Sequence, residues 1–80
     1  MATKITFPRT AEATEVSDAE YTLCADGVKT PVFLQDNRPA GGKIEICTLI
    51  DGAVKYHTAR PTMRLACNAA AIVYLEVCRG

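Results

Sequence analysis

Along most of this chain, apolar and polar residues alternate with a period of two, in short runs cut by glycine, proline, asparagine and aspartate. That is the signature of short β-strands. Residues 4–7 place Ile5 and Phe7 on one face and stop at Pro8. Residues 9–19 break the pattern: they are polar, acidic and rich in Thr and Ala, and read as an arm, a loop or a short helix. Ser17-x-x-Glu20 has capping-box spacing, but the strand-like Tyr21-Thr22-Leu23-Cys24 begins at once after it. Residues 21–25 alternate and end at the turn dipeptide Asp26-Gly27. Residues 31–35 form a second short strand, and Pro31 suggests that it starts at a sheet edge, because proline donates nothing to a ladder. Residues 36–42, with Asn37, Pro39, Gly41 and Gly42, form a loop.

The clearest element is a hairpin of residues 43–50 and 53–58 joined by Asp51-Gly52. A strict two-residue turn pairs Ile50 with Ala53 and puts Lys55 and His57 on the face of Ile44 and Ile46. A three-residue loop with a glycine bulge pairs Thr48 with Val54 and Ile46 with Tyr56. It gathers Ile44, Ile46, Thr48, Val54, Tyr56 and Thr58 on one face, so the sorting of polarity favours the bulged form. Glu45 then stands opposite His57.

Arg60-Pro61 is a break. Residues 62–66 read as a short strand with Met63 and Leu65 inward, and Asn68 as a turn. Residues 69–78 have helix-favouring alanines, but Ile72-Val73-Tyr74-Leu75-Glu76-Val77 is strand-like and apolar on both faces, as in a strand packed on both sides. Six to seven short strands in 80 residues predict an all-β fold. The expected form is a small antiparallel β-sandwich or barrel in one domain, with residues 1–20 as strand plus polar N-terminal arm and 21–80 as the β core.

Charge changes the picture only locally. Nine basic residues balance nine acidic ones, so the basic excess of nucleic-acid binders is missing. Residues 1–20 hold Lys4 and Arg9 against Glu12, Glu15, Asp18 and Glu20, whereas residues 41–80 carry a basic excess that includes Arg60, Arg64 and Arg79. The acidic front can lie against the basic rear, within one subunit or between two. No secretory leader is expected, and the longest apolar run, residues 69–75, is far below the ~18 residues of a membrane helix. A reducing compartment is the expected setting.

Candidate chemistry is thin. Cys24, Cys47, Cys67 and Cys78 lie in or beside expected strands and contain no Cys-x-x-Cys pair, so they read as buried free thiols, with one disulfide as the alternative and no metal site. His57 is the single histidine. With Cys47 and Glu45 it resembles a nucleophilic triad on paper, but an outer hairpin face is no cleft. Gly41-Gly42 precedes a strand and not a helix, so it is no phosphate loop. No catalytic residue, cofactor or metal is expected. With no Trp, three Tyr and two Phe, stacking sites for single-stranded nucleic acid are few. Arginine suits protein interfaces, and the expected contact surfaces are the arm and the loop at 37–42, with Arg9, Glu12, Glu15, Asn37, Arg38, Arg60 and Arg64 as interface candidates.

From about residue 25 onward, the chain resembles the small β-rich structural proteins of tailed bacteriophage particles. The resembling segments are Ala-Asp-Gly (25–27), Pro-Val-Phe-Leu (31–34), Gly-Gly-Lys-Ile-Glu-Ile (41–46), Asp-Gly (51–52), Arg-Pro-Thr-Met-Arg-Leu (60–65) and Ala-Ile-Val-Tyr-Leu-Glu-Val (71–77). These motifs are generic strand punctuation and carry over no functional residue, and four cysteines depart from the group's pattern. The resemblance implies a non-enzymatic virion protein, made in the host cytoplasm, that decorates or cements the capsid. It further implies a homo-oligomer, with a trimer favoured, bound to capsid subunits through its arm. The alternative expectation is a small phage inhibitor of a host protein, and a third is a small enzyme using His57 and a cysteine.

Overall fold

The computed structural model describes residues 3–11 and 19–79. Among the described residues, six antiparallel strands form one sheet: β1 (Ile5–Thr6), β2 (Arg9–Ala11), β3 (Ala19–Ala25), β4 (Val28–Asp36), β5 (Ile44–Ile50) and β6 (Ala53–Arg60). The order is β1-β3-β4-β5-β6, and β2 pairs with β3 on the same side as β1, nearer the start of β3. The mostly-β antiparallel class read from the sequence holds. The layer closing its core is a single helix, α1 (Met63–Tyr74), which runs on into a wider turn over Leu75–Arg79.

That helix corrects the sequence reading of residues 62–66 and 69–78 as strands. Thr62 caps it, accepting a hydrogen bond at Oγ1 from the Leu65 N–H at 3.3 Å. Ala66, Ala69, Ala70 and Val73 recur at i, i+3, i+4 and i+7 and are all buried. They pack in one cluster with Leu23, Val32, Leu34, Ile44 and Ile46 from the sheet. The β-branched run that suggested a strand lies at the helix's C-terminal end, where alanine propensity and the buried face outweigh it.

Both Asp-Gly pairs make tight turns. Asp26 and Gly27 have φ of 51° and 82°, and Asp51 and Gly52 have 53° and 78°. Two successive positive φ angles define the hairpin turn whose twist matches that of the strands. The three-residue loop expected at 50–52 is therefore replaced by the strict form, with Ile50 paired to Ala53, Leu49 to Val54 and Cys47 to Tyr56. The conflict of polarity is resolved further along, by a register shift that leaves Ile46 opposite Thr58. His57 is the extra residue of this bulge. Glu45 consequently faces Ala59, not His57. Val54 and Tyr56, expected in the core, stand on the opposite face.

The strand at 31–35 is longer than expected and central, paired with β3 on one side and β5 on the other. Pro31 is tolerated there because it sits at the register shift between β3 and β4, where no partner is paired to it. Thr30 repairs the gap: its hydroxyl donates to the Leu23 carbonyl at 2.8 Å and accepts from the Val32 N–H at 3.3 Å.

The left-handed backbone at Gly52 is not a matter of space, since a Cβ there would meet nothing within 4 Å. Replacing Gly52 by Val is expected to cost about 1–2 kcal/mol through φ alone. Urea unfolding should detect this as a lower midpoint at an unchanged slope.

Candidate partner surfaces

The sheet has one covered face and one open face. Along β5, Ile44, Ile46 and Thr48 point under α1, so Glu45, Cys47 and Leu49 point away from it. The open face carries the cross-strand row Thr22, Phe33, Cys47 and Tyr56, flanked by Leu49 opposite Val54. Val54 and Tyr56 are 63% and 57% exposed, and Leu49 is exposed as well. A shallow groove of 580 Å³ runs along this face, with Phe33, Leu49 and Val54 as its apolar wall and Glu20, Gln35 and Lys29 as polar lining. An apolar stripe with a polar border is the composition of a protein contact surface.

The interface candidates read from the sequence gather elsewhere. Arg9 begins β2, Arg38 follows β4, Arg60 ends β6, and Arg64 lies in the first turn of α1. Antiparallel pairing brings these points to one end of the sheet, the end at which β3 and β5 begin. Exposed Lys43 joins them. Asn37 serves the loop itself: its N–H donates to the Lys43 carbonyl, and its carbonyl accepts from the N–H groups of Ala40 and Gly42. Glu12 and Glu15 lie outside the described residues, as does Ser17 of the capping-box motif. The arm expected at 9–19 begins as strand β2.

At this basic end, Asp36 is buried and fully engaged. The Arg38 guanidinium donates from Nε to Oδ1 at 2.9 Å and from Nη2 to Oδ2 at 2.8 Å, and the Arg38 N–H donates to Oδ1 at 3.1 Å. The Arg38 side-chain bonds hold the Asp36 carboxyl below its ordinary value, against the opposing effect of burial, with smaller help from the Arg38 main chain and charge and the charge of Arg9. Arg9 stacks over the Tyr21 ring at 5.4 Å and donates to its hydroxyl at 3.1 Å.

The Cys–His pairing weighed in the sequence is not assembled. His57 Nε2 lies 2.9 Å from the buried Thr48 hydroxyl, and Cys47 points to the other face of β5. All four cysteines are free. Cys24 and Cys47 are buried in the floor of the open face, whereas Cys67 and Cys78 sit on the helical segment and not on strands. Burial, then the charges of Glu45 and Glu20, push the Cys47 thiol up. Among the described residues, no three His, Cys, Asp or Glu side chains cluster to hold a metal, and no helix is long and apolar enough to cross a membrane.

The apolar open face was missed in the sequence because it depends on the hairpin register; a strict reading of Asp51-Gly52 as a two-residue turn would have found it. No protein-family model, no curated protein and no solved structure matches this chain.

The Asp36 carboxyl has a lowered value in the folded chain, so the stability it contributes is complete above the unfolded carboxylate range and is lost as pH falls through the folded value. Asp36→Asn should therefore lower the melting temperature at pH 7, and the gap to the parent should close below about pH 4. Equal melting temperatures at neutral pH would contradict the buried pair. Thiol titration of the native chain should modify Cys78 first, with Cys24 and Cys47 reacting only on unfolding.

Proposed function

We propose that this chain is a non-enzymatic protein-binding module that works as a decoration protein of a tailed-bacteriophage capsid. In this reading the open sheet face docks on the capsid subunits. The observation that carries it is the uncovered stripe of Leu49, Val54 and Tyr56 beside the 580 Å³ groove. A domain this small buries only about 60–65% of its unfolded surface, so a partner that covers the stripe adds apolar burial that the chain cannot supply alone. Gathered arginines at one end of the sheet support the same reading, because they can steer the module onto an acidic shell. The phage setting rests on the strand and turn segments that resemble virion proteins. As a shell component, the module acts as a homo-oligomer bound to capsid subunits and has its place in the virion.

The test is co-sedimentation with empty shells of the tailed phage whose genome encodes the chain. The parent should pellet with shells at a fixed stoichiometry. Val54→Glu and Tyr56→Glu, both at exposed positions, should reduce that binding at least about tenfold while leaving the circular dichroism spectrum unchanged, as expected when a charge enters an interface core. A chain that stays in the supernatant, or that pellets equally with either variant, would refute the reading. Tight one-to-one binding to a purified host enzyme in place of shells would put inhibition of that enzyme in its stead.

A further inference from the structure

The groove face carries charge at its two ends and apolar side chains between them. Residues paired across neighbouring strands share a face, so the pairing sorts this face into rows. Nearest the start of β3 and β5, Glu20 stands opposite Gln35, and Gln35 opposite Glu45. The next row is Thr22, Phe33, Cys47 and Tyr56, and Leu49 opposite Val54 follows it. Lys29, opposite Cys24, closes the far end, near the start of β4. Glu20, Gln35 and Lys29 all line the one groove.

The charges at its ends are unspent. Glu20 and Glu45 are partly buried, and among the described residues neither meets a cation within ion-pair distance, nor does Lys29 meet a carboxylate. The Cys47 thiol, raised first by burial, is raised further by the charges of Glu45 and Glu20, so both carboxylates overlook the same apolar floor. The arginines of the basic end turn to the other face: Arg9 stands opposite Tyr21 and Arg60 opposite Ile44, whose side chains belong to the helix-covered side. Their steering is a long-range effect on the shell as a whole; contact at the groove is local.

The dimensions select an extended occupant. From Lys29 to Gln35 the strand spans about 20 Å. A volume of 580 Å³ over that length leaves a cross-section of roughly 30 Å², well under half that of an α-helix about 10 Å across. One row of side chains fits, and the body of a helix does not. Rows on the sheet recur every two residues, at about 6.6 Å, which is also the spacing of alternate side chains in an extended partner.

We propose that the groove takes an extended segment of the capsid subunit, with a basic residue over Glu20 and Glu45, apolar residues at i+2 and i+4 against Phe33 and then Leu49 and Val54, and an acidic residue at i+6 beside Lys29. This rests on the shell-binding reading, and it adds what the shell presents and in which direction it lies.

Short overlapping peptides that tile the capsid subunit, immobilised and probed with the full chain, test it beside shell co-sedimentation. Captured peptides should share the order basic, apolar, apolar, acidic at every second position. Glu20→Lys combined with Glu45→Lys should weaken both capture and shell binding at least about tenfold, by setting like charges together, with an unchanged circular dichroism spectrum. The milder Glu20→Gln with Glu45→Gln, which keeps the shape of both side chains, should weaken them about five-fold. Reversing all three charges, with Lys29→Glu added to the two lysines, should restore capture by a peptide whose basic and acidic residues are exchanged, a rescue that a folding defect does not give. A parent that pellets with shells but is indifferent to both glutamate pairs, captures only peptides of another order, or captures none overturns this assignment and leaves shell binding standing. A parent that does not pellet with shells overturns both.

Discussion

Ala66 and Ala70 are wholly buried where α1 meets the sheet, in the same cluster as Leu34, Ile44 and Ile46, and the rest of the molecule is arranged around that contact. Alanine on the inner face lets the helix lie close to the strands, and the sheet supplies the bulk that fills the core. One helix can cover only one face. The other face of β4, β5 and β6 is left to solvent, and the leucine and isoleucine of the helix are turned outward. Both exposed apolar surfaces are consequences of this single packing choice.

Local devices keep the sheet in the register that the contact needs. Two Asp-Gly turns set the pairing of β3 with β4 and of β5 with β6, and two shifts correct it where the sequence would otherwise bring the wrong side chains inward. At the first, Thr30 stands in for the missing donor of Pro31. At the second, His57 reaches the buried Thr48 hydroxyl, which would otherwise carry the cost of an unpaired polar group under the helix. These features are not defects in a strand pattern; each satisfies a group that ideal pairing would strand.

The charged residues are sorted by the topology rather than by their order in the chain. Arginines that are far apart in sequence collect at one end of the sheet, where Asp36 organises Arg38 and Tyr21 organises Arg9. Exposed apolar side chains lie on two sides of the fold, Leu49, Val54 and Tyr56 on the groove face and Leu65, Ile72 and Leu75 on the outer side of the helix.

The sequence by itself determined the antiparallel, mostly-β character, the positions of both Asp-Gly turns, the loop at 37–42 and the inward placement of Ile5, Ile44 and Ile46, because alternation and turn chemistry act within a few residues. It also supplied the arginines of the basic end, though not their meeting. Alternation read residues 62–66 as a strand, and in 69–78 alanine propensity and β-branched content disagree; the decision went to the helix because it could bury a face on the completed sheet. The register of β5 with β6 was open for a related reason. Polarity sorting on a single hairpin favoured the bulge at the turn, but the true bulge at His57 gains from Thr48 and the helix above it, which are tertiary partners. Only the tertiary structure decided which face of the hairpin stayed open, because burial depends on what packs against a strand and not on the strand alone.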